Sequence, residues 1–348
     1  MPVLLCNLLV VIPLLAAITD FIIADPWHWI HPVQVMGWSI RTYQTIIFRY
    51  CQTAGSQRFA GILLGTGLPL LSGAIAGGIV LLSWRNLPLF GCVVSVVIMA
   101  SCFAARSLRK AAEDVLYPLS KNNVSQARRR LSQYVGRDTQ NLSEPEILRA
   151  IMETISENAT DGVLAPLFYA LLGTAISPTI GGVVMAIAYK GYSTLDSMVG
   201  YRSAPYTHFG WFSARAEDVV TWIPCRLTVL TIALLSQQPY HVLRVCRRDA
   251  PADPSPNAGW SECVYAAALG VQLGGVNTYY GQIHEKPLLG DPNRPIDVQV
   301  IQQGLQLTRW AFLIWLILGL IGLSFRYGLN CGYFATGLPR FFLYAQFC

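Results

Sequence analysis

Charge is what this 348-residue chain has least of: 13% of its residues are Asp, Glu, Lys or Arg, against 53% hydrophobic. An ordinary soluble domain is about 25% charged. Together with a mean hydropathy of +0.43, that deficit argues against an ordinary soluble enzyme and for a polytopic membrane protein. The nine cysteines include no C-x-x-C pair, and Cys92, Cys102 and Cys225 lie inside apolar runs. That speaks for buried thiols and against a disulfide framework or a zinc site. There is no G-x-x-x-x-G-K-[ST] loop, no nucleophile elbow and no kinase signature, so those three mechanisms have no foothold. No basic run is interleaved with aromatics, so no nucleic acid is expected as a partner. The net charge of +6 fits loop asymmetry against anionic membrane lipids instead. Internal repeats and low-complexity tracts are also missing.

What is present is a set of apolar runs, at 3–23, 59–82, 87–105 and 310–325. Each approaches the roughly 20 residues a helix needs to cross a bilayer. The first has no Lys/Arg-rich start and reads as an uncleaved span, not a signal peptide. A weaker run at 219–235 contains Arg226. A charge in a membrane helix faces protein or water, so this run is expected to be half-buried, with a carboxylate for Arg226, most plausibly Asp218. The loop 106–159 holds "RSLRK" and "ARRRL", the densest basic segment, which places it in the cytoplasm by the positive-inside rule. Within it, Asn123 is a candidate N-cap, and Ser143 with Glu146 matches a capping box with Pro145 in the first turn. The segment 239–309 is mostly soluble, with a cap at Ser255 or Asn257 and a helix stopping at Gly274–Gly275. The expected fold is all-α: a single polytopic membrane domain over 1–348, with helical cytoplasmic loops.

The run 163–189 is different, because Gly173, Pro178, Gly181 and Gly182 interrupt its middle. Pro removes a backbone donor and Gly weakens a helix. Two half-helices meeting near Ser177–Gly182 would make a re-entrant hairpin, tolerated only where protein or water satisfies the broken backbone. A kinked single span is the alternative. The choice matters because both edges are polar: Glu157, Asn158 and Asp161 before the run, Lys190, Asp196 and Arg202 at its far end. A straight helix from Gly162 to Tyr189 would part the edges by roughly 40 Å, at ~1.5 Å per residue. Folding back would return both to one side.

Carboxylates (Glu157, Asp161, Asp196, Glu217, Asp218) and cations (Lys190, Arg202, Arg215, Arg226) are thus concentrated in a few stretches. The set suits a phosphate-bearing substrate with a metal: carboxylates hold the cation, and Lys or Arg neutralise phosphoryl oxygens. A network of structural ion pairs is the alternative. Glu153, Glu157 and Asp161 recur at four-residue steps, either as a wet helix face or as a carboxylate stripe that gathers Mg²⁺. The start of the helix after "SPNAGW", with Asn257 and its free backbone N–H groups, is a further anion site on this reading. His28 and His31 read as a structural loop pairing beside Trp27 and Trp29.

The motifs "DP-x-W-x-HPV-x-x-MG", "EN-x-x-DG-x-x-x-P", "TLDSMVGYR" and "SPNAGW…ALGVQLGG", in this order from Asp25 to about Gly290, closely resemble the CobD/CbiB family of cobalamin biosynthesis. The resemblance implies an integral membrane adenosylcobinamide-phosphate synthase. Such an enzyme joins aminopropanol, its phosphate or an ethanolamine analogue to the propionate carboxyl of adenosylcobyric acid, with ATP and Mg²⁺. On that basis Glu157, Asp161 and Asp196 are the expected catalytic residues and Mg²⁺ ligands. Asn158, Lys190, Arg202, Arg215, Asp218 and Asn257 are the expected substrate and phosphate contacts. The active site is expected at the cytoplasmic face of the cell membrane, with other pathway enzymes as further partners. The chain departs from the family pattern at Ser193, Ala216, Thr221, Cys225 and Asp253. A transporter for a phosphorylated or corrinoid substrate, or a non-catalytic scaffold, is the alternative. No second broken segment supports the inverted repeat that many transporters show.

Overall fold

The structure, a computed structural model, describes residues 2–23 and 31–335. His28, Trp27 and Trp29 lie outside the described residues. The helices are α1 (Pro2–Ile23), α2 (Pro32–Tyr50), α3 (Ala54–Asn86), α4 (Pro88–Ala100), α5 (Ala105–Leu119), α6 (Val124–Leu131) and α7 (Glu144–Asn158). A π-helical turn (Ala159–Leu164) leads to α8 (Ala165–Ile176), α9 (Gly181–Val199), α10 (Tyr206–Phe209), α11 (Trp211–Leu235), α12 (Pro239–Asp249) and α13 (Ala258–Leu269). An antiparallel hairpin of β1 (Leu273–Tyr279) and β2 (Gln282–Leu289) precedes the long α14 (Val298–Ala335). The starts are set locally. His31 Nδ1 accepts from the Val33 N–H ahead of Pro32, Thr53 Oγ1 from Ser56, and Asn123 Oδ1 from Gln126. Glu146 accepts from both the backbone N–H and the hydroxyl of Ser143.

This is a polytopic helical membrane protein. Among the described residues four helices are long and apolar enough to cross a bilayer: Ala54–Asn86, Glu144–Ile176, Trp211–Leu235 and Val298–Tyr327. The pair α4 and α5, bent by 41°, makes a fifth if counted as one span. Leu70, Leu71, Ile75 and Leu82 on α3 and Leu318 on α14 stay exposed, as lipid-facing side chains do. The main core runs through Ile147, Ile151, Leu164, Leu167, Tyr265 and Ile301.

The 163–189 run folds back on itself. α8 ends at Ser177, which is extended (φ −140, ψ 104), and α9 returns against it. The crossing is close because it is made of glycine: a Cβ on Gly173 would lie 2.1 Å from the Gly181 carbonyl oxygen. The rings of Tyr169 and Tyr189 stack 5.1 Å apart, which a straight helix between them could not allow.

Three expectations are corrected. The soluble helix at 144–158 and the apolar run from 163 are one path, since α7 passes through the π turn into α8. The all-α class holds, with one short addition, the hairpin β1–β2 after α13. The helix after "SPNAGW" stops at Leu269, with Gly270 at φ +65, instead of at Gly274–Gly275, whose positive φ values lie inside β1. Arg226 has no carboxylate partner among the described residues. Its guanidinium donates to the Pro256 carbonyl (2.9 Å) and lies over Trp260 (4.5 Å) and Trp222 (5.2 Å). α11 does not break at Pro224, so Asp218 stays about 12 Å away along the axis, two helical turns off. The half-buried cation is satisfied instead by ring faces and a carbonyl.

Candidate active site

The site begins where α7 changes pitch. A π turn adds a residue per hydrogen-bonded ring and is frequent at functional sites. Here it carries Asp161 and is fixed from outside. Ala104 N–H donates to the Gly162 carbonyl (3.1 Å). The Thr160 and Ser261 hydroxyls meet at 2.6 Å, and Ser261 donates to the Ser156 carbonyl at 2.6 Å. The "SENATDG" edge is thereby joined to α13, a hundred residues later in the sequence. The Glu157 side chain stays exposed and Asp161 is half-buried.

Folding α9 back on α8 brings Lys190 and Asp196 to the same place. Asp161 lies within electrostatic range of Glu217, Glu157, Asp196 and Lys190. Asp196 lies within range of Asp218 and Glu157. The polar edges on either side of the 163–189 run thus lie within electrostatic range of each other. Next to it, Arg202, Arg215, Asp218, Asp253, Ser255 and Trp260 line an open cleft of about 300 Å³. Arg202 is held by the Pro254 carbonyl (2.8 Å), and both arginines flank Asp218. Asn257 is buried; its Nδ2 donates to the Asp218 carbonyl (2.9 Å), and its Oδ1 has no partner among the described residues. The Asn158 side chain is exposed and donates to the Thr154 carbonyl of its own helix.

Two readings of the cluster are narrowed. Ser255 Oγ accepts from the N–H groups of Asn257 (3.2 Å) and Ala258 (3.1 Å), so the start of α13 is less open to an anion than its sequence suggests. Glu153 does not belong to a wet face. It is 2% exposed and accepts from Arg137 and from the Gly274 N–H (2.9 Å). Arg137 and Arg149 also donate to Asn277, at 2.8 and 3.1 Å. This network clamps the β hairpin to α7; removing one member of such a buried pair costs about 3–5 kcal/mol.

Sequence reasoning named Glu217 but not its link to Tyr189, and it missed Lys286 and Glu262. A buried seam runs from Tyr189 through Thr221 (3.0 Å) to Glu217, crossing α9 to α11. Lys286 on β2 reaches Glu262 on α13 at 2.8 Å, and Glu157 lies within range of Lys286. The only signal for Glu262 was a single charge among small apolar residues. Among the described residues no three His, Cys, Asp or Glu side chains are close enough to cage a metal ion by themselves. The oxygen-rich cluster fits a cation that arrives with its own phosphate ligands, since Mg²⁺ keeps waters and takes one or two carboxylates plus substrate oxygens.

The sequence model of the CobD/Cbib protein family matches residues 13–308. A "Cobalamin biosynthesis protein CobD" from Synechocystis is 49% identical over 305 residues, covering 88% of this chain and 89% of the relative. A "Cobalamin biosynthesis protein CbiB" from Salmonella typhi is 40% identical over 297 residues, 84% of this chain and 91% of the relative. A "Cobalamin biosynthesis protein CobD" from Citrobacter koseri is 38% identical with the same coverage. No solved structure matches the chain.

Proposed function

The chain belongs to the CobD/CbiB protein family, and from that premise we propose that it acts in cobalamin biosynthesis as an ATP-dependent amide ligase, an adenosylcobinamide-phosphate synthase. The substrates would be adenosylcobyric acid and aminopropanol, its phosphate or an ethanolamine analogue. The observation that carries this reading is the convergence of Glu157, Asp161, Asp196 and Lys190 beside the Arg202–Arg215 cleft. Opposed charges gathered around one opening suit the joining of two anionic substrates.

A carboxylate does not acylate an amine, because oxide is a poor leaving group. In the proposed first step a propionate oxygen attacks the γ-phosphorus of ATP, the bond from that phosphorus to the β–γ bridging oxygen breaks, and ADP leaves. The amine nitrogen then attacks the acyl carbon, the C–O bond to phosphate breaks, phosphate departs, and the nitrogen gives its proton to a carboxylate of the cluster. Lys190, Arg202 and Arg215 neutralise the phosphate oxygens, and Asp218 orients both arginines. The free Oδ1 of Asn257 accepts from a substrate amide, and Asn158 contacts the substrate at the exposed rim. One or two of Glu157, Asp161 and Asp196, completed by phosphate oxygens and water, would hold Mg²⁺, which when bound screens the charge on the transferring phosphoryl group. The site would face the cytoplasm, where ATP is.

The test is purified protein in lipid nanodiscs with ATP, Mg²⁺, adenosylcobyric acid and aminopropanol phosphate, followed by mass spectrometry. Amide and ADP formed together support the ligase. Absence of amide with substrate uptake into vesicles supports a transporter, and neither outcome leaves a scaffold for the other pathway enzymes.

A further inference from the structure

Only four of the 25 basic residues are lysine: Lys110, Lys121, Lys190 and Lys286. The first two are exposed on the basic loop, while the other two stand at the acidic cluster, Lys190 beside Asp161 and Lys286 beside Glu157. Lys286 comes from the β hairpin, and its side chain is 27% exposed. Its Nζ donates to Glu262 Oε1 at 2.8 Å. Glu262 is completely buried on α13, and its Oε2 has no partner among the described residues. An ammonium has three donors; Glu262 takes one, and no hydrogen bond of the described residues takes the others.

A purely structural pair explains this poorly. The hairpin is already fastened by Arg137, Arg149 and Glu153, and its turn by Asp138, which accepts from Tyr280 and Gly281. Burying a further ion pair for fastening alone is costly, and an apolar pair would serve as well or better. Burial alone would lower the Lys286 pKa, yet Glu262, Glu157 and Glu153 hold it above the ordinary lysine value, so the ammonium stays charged.

We propose that Lys286 is a further substrate-contacting residue of the site, presenting its ammonium to the anionic oxygens of the ATP phosphates, with Glu262 as the buried residue that positions it. Lys190 then reaches the phosphate from the membrane hairpin and Lys286 from the β hairpin. The proposal rests on the amide-ligase reading, and the experiment separates the two.

The wild-type protein in nanodiscs is acetylated with N-hydroxysuccinimidyl acetate, with and without Mg-ATP, and each lysine is quantified by mass spectrometry. Lys110 and Lys121 serve as exposed references. At saturating nucleotide, Lys286 labelling is expected to fall about tenfold while the references are unchanged. In the amide assay, Lys286→Met is expected to lower kcat on the order of 10²-fold and raise KM for ATP, with partial recovery in Lys286→Arg. Unchanged labelling of Lys286 overturns the proposal, and so does a Lys286→Met protein with wild-type kcat and KM. Protection of Lys286 in a wild-type protein that forms no amide keeps the phosphate contact and removes the ligase reading instead.

Discussion

At the scale of single residues, the cluster mixes groups that hold the fold with groups left available for chemistry. Glu153 and Asp161 are both carboxylates of one helical path, yet Glu153 is consumed by two arginines and a backbone N–H, while Asp161 faces other carboxylates. Replacing Asp161 by Asn removes charge but keeps shape. Turnover is expected to fall on the order of 10²-fold or more, with membrane insertion and melting temperature unchanged and part of the rate recovered at high Mg²⁺. Initial rates across a Mg²⁺ series check this, and full activity would make the cluster a structural ion network. Asp249 gives a pH prediction. Its carboxylate is held below the usual range by hydrogen bonds from Arg248 (2.6 and 2.8 Å), despite partial burial, and by the Gly290 N–H (2.9 Å). A depressed folded pKa contributes stability that is full above the unfolded aspartate value and is lost as pH falls through the folded one. Wild type should therefore lose more melting temperature than Asp249→Asn between about pH 5 and the acid limit of folding, measured by thermal unfolding in detergent.

At the scale of elements, the α8–α9 hairpin was legible because its breakers are local. Pro178 and the glycines act within one turn, whatever the rest of the chain does. Its packing was not legible, since it depends on Gly173 and Gly181 meeting across the turn. Gly173→Val should force the two arms apart and separate Lys190 and Asp196 from Asp161. Loss of both nucleotide binding and thermal stability is expected; a variant that melts and turns over normally would show that the crossing is not needed. The β hairpin was missed for the opposite reason. Gly274 and Gly275 read as a helix stop, but they adopt positive φ inside a strand whose partner lies across a two-residue turn. Cross-strand pairing and the Arg149 contacts decide that outcome, and neither is a property of the local sequence.

At the scale of the whole molecule, the topology has a consequence for access. Asn158 and Ser197 are both exposed, one on each edge of the membrane hairpin, whereas Ser156 is fully buried and unsuitable as a probe. In a variant lacking the nine native cysteines, Asn158→Cys and Ser197→Cys should react with an impermeant maleimide from the same face of oriented vesicles. Labelling from opposite faces would dismantle the shared site and the mechanism built on it.

Hydropathy, capping residues and ordered motifs are written in neighbouring positions, so the membrane class, most helix starts, the break at Pro178 and the family could be read from them. The same stretches hold Asp161, Glu157, Asp196 and Lys190, which lie within electrostatic range around Asp161, and Arg202, Arg215 and Asp218, which line the cleft. Which charges are spent on each other was settled by packing. Arg226 settled on two tryptophans and a carbonyl, Glu153 on two arginines, and Lys286 of the β hairpin on a glutamate of α13. A charge in a low-dielectric interior takes whatever partner the packing brings within a few ångströms, and distance in space is the one quantity that spacing along the chain does not contain.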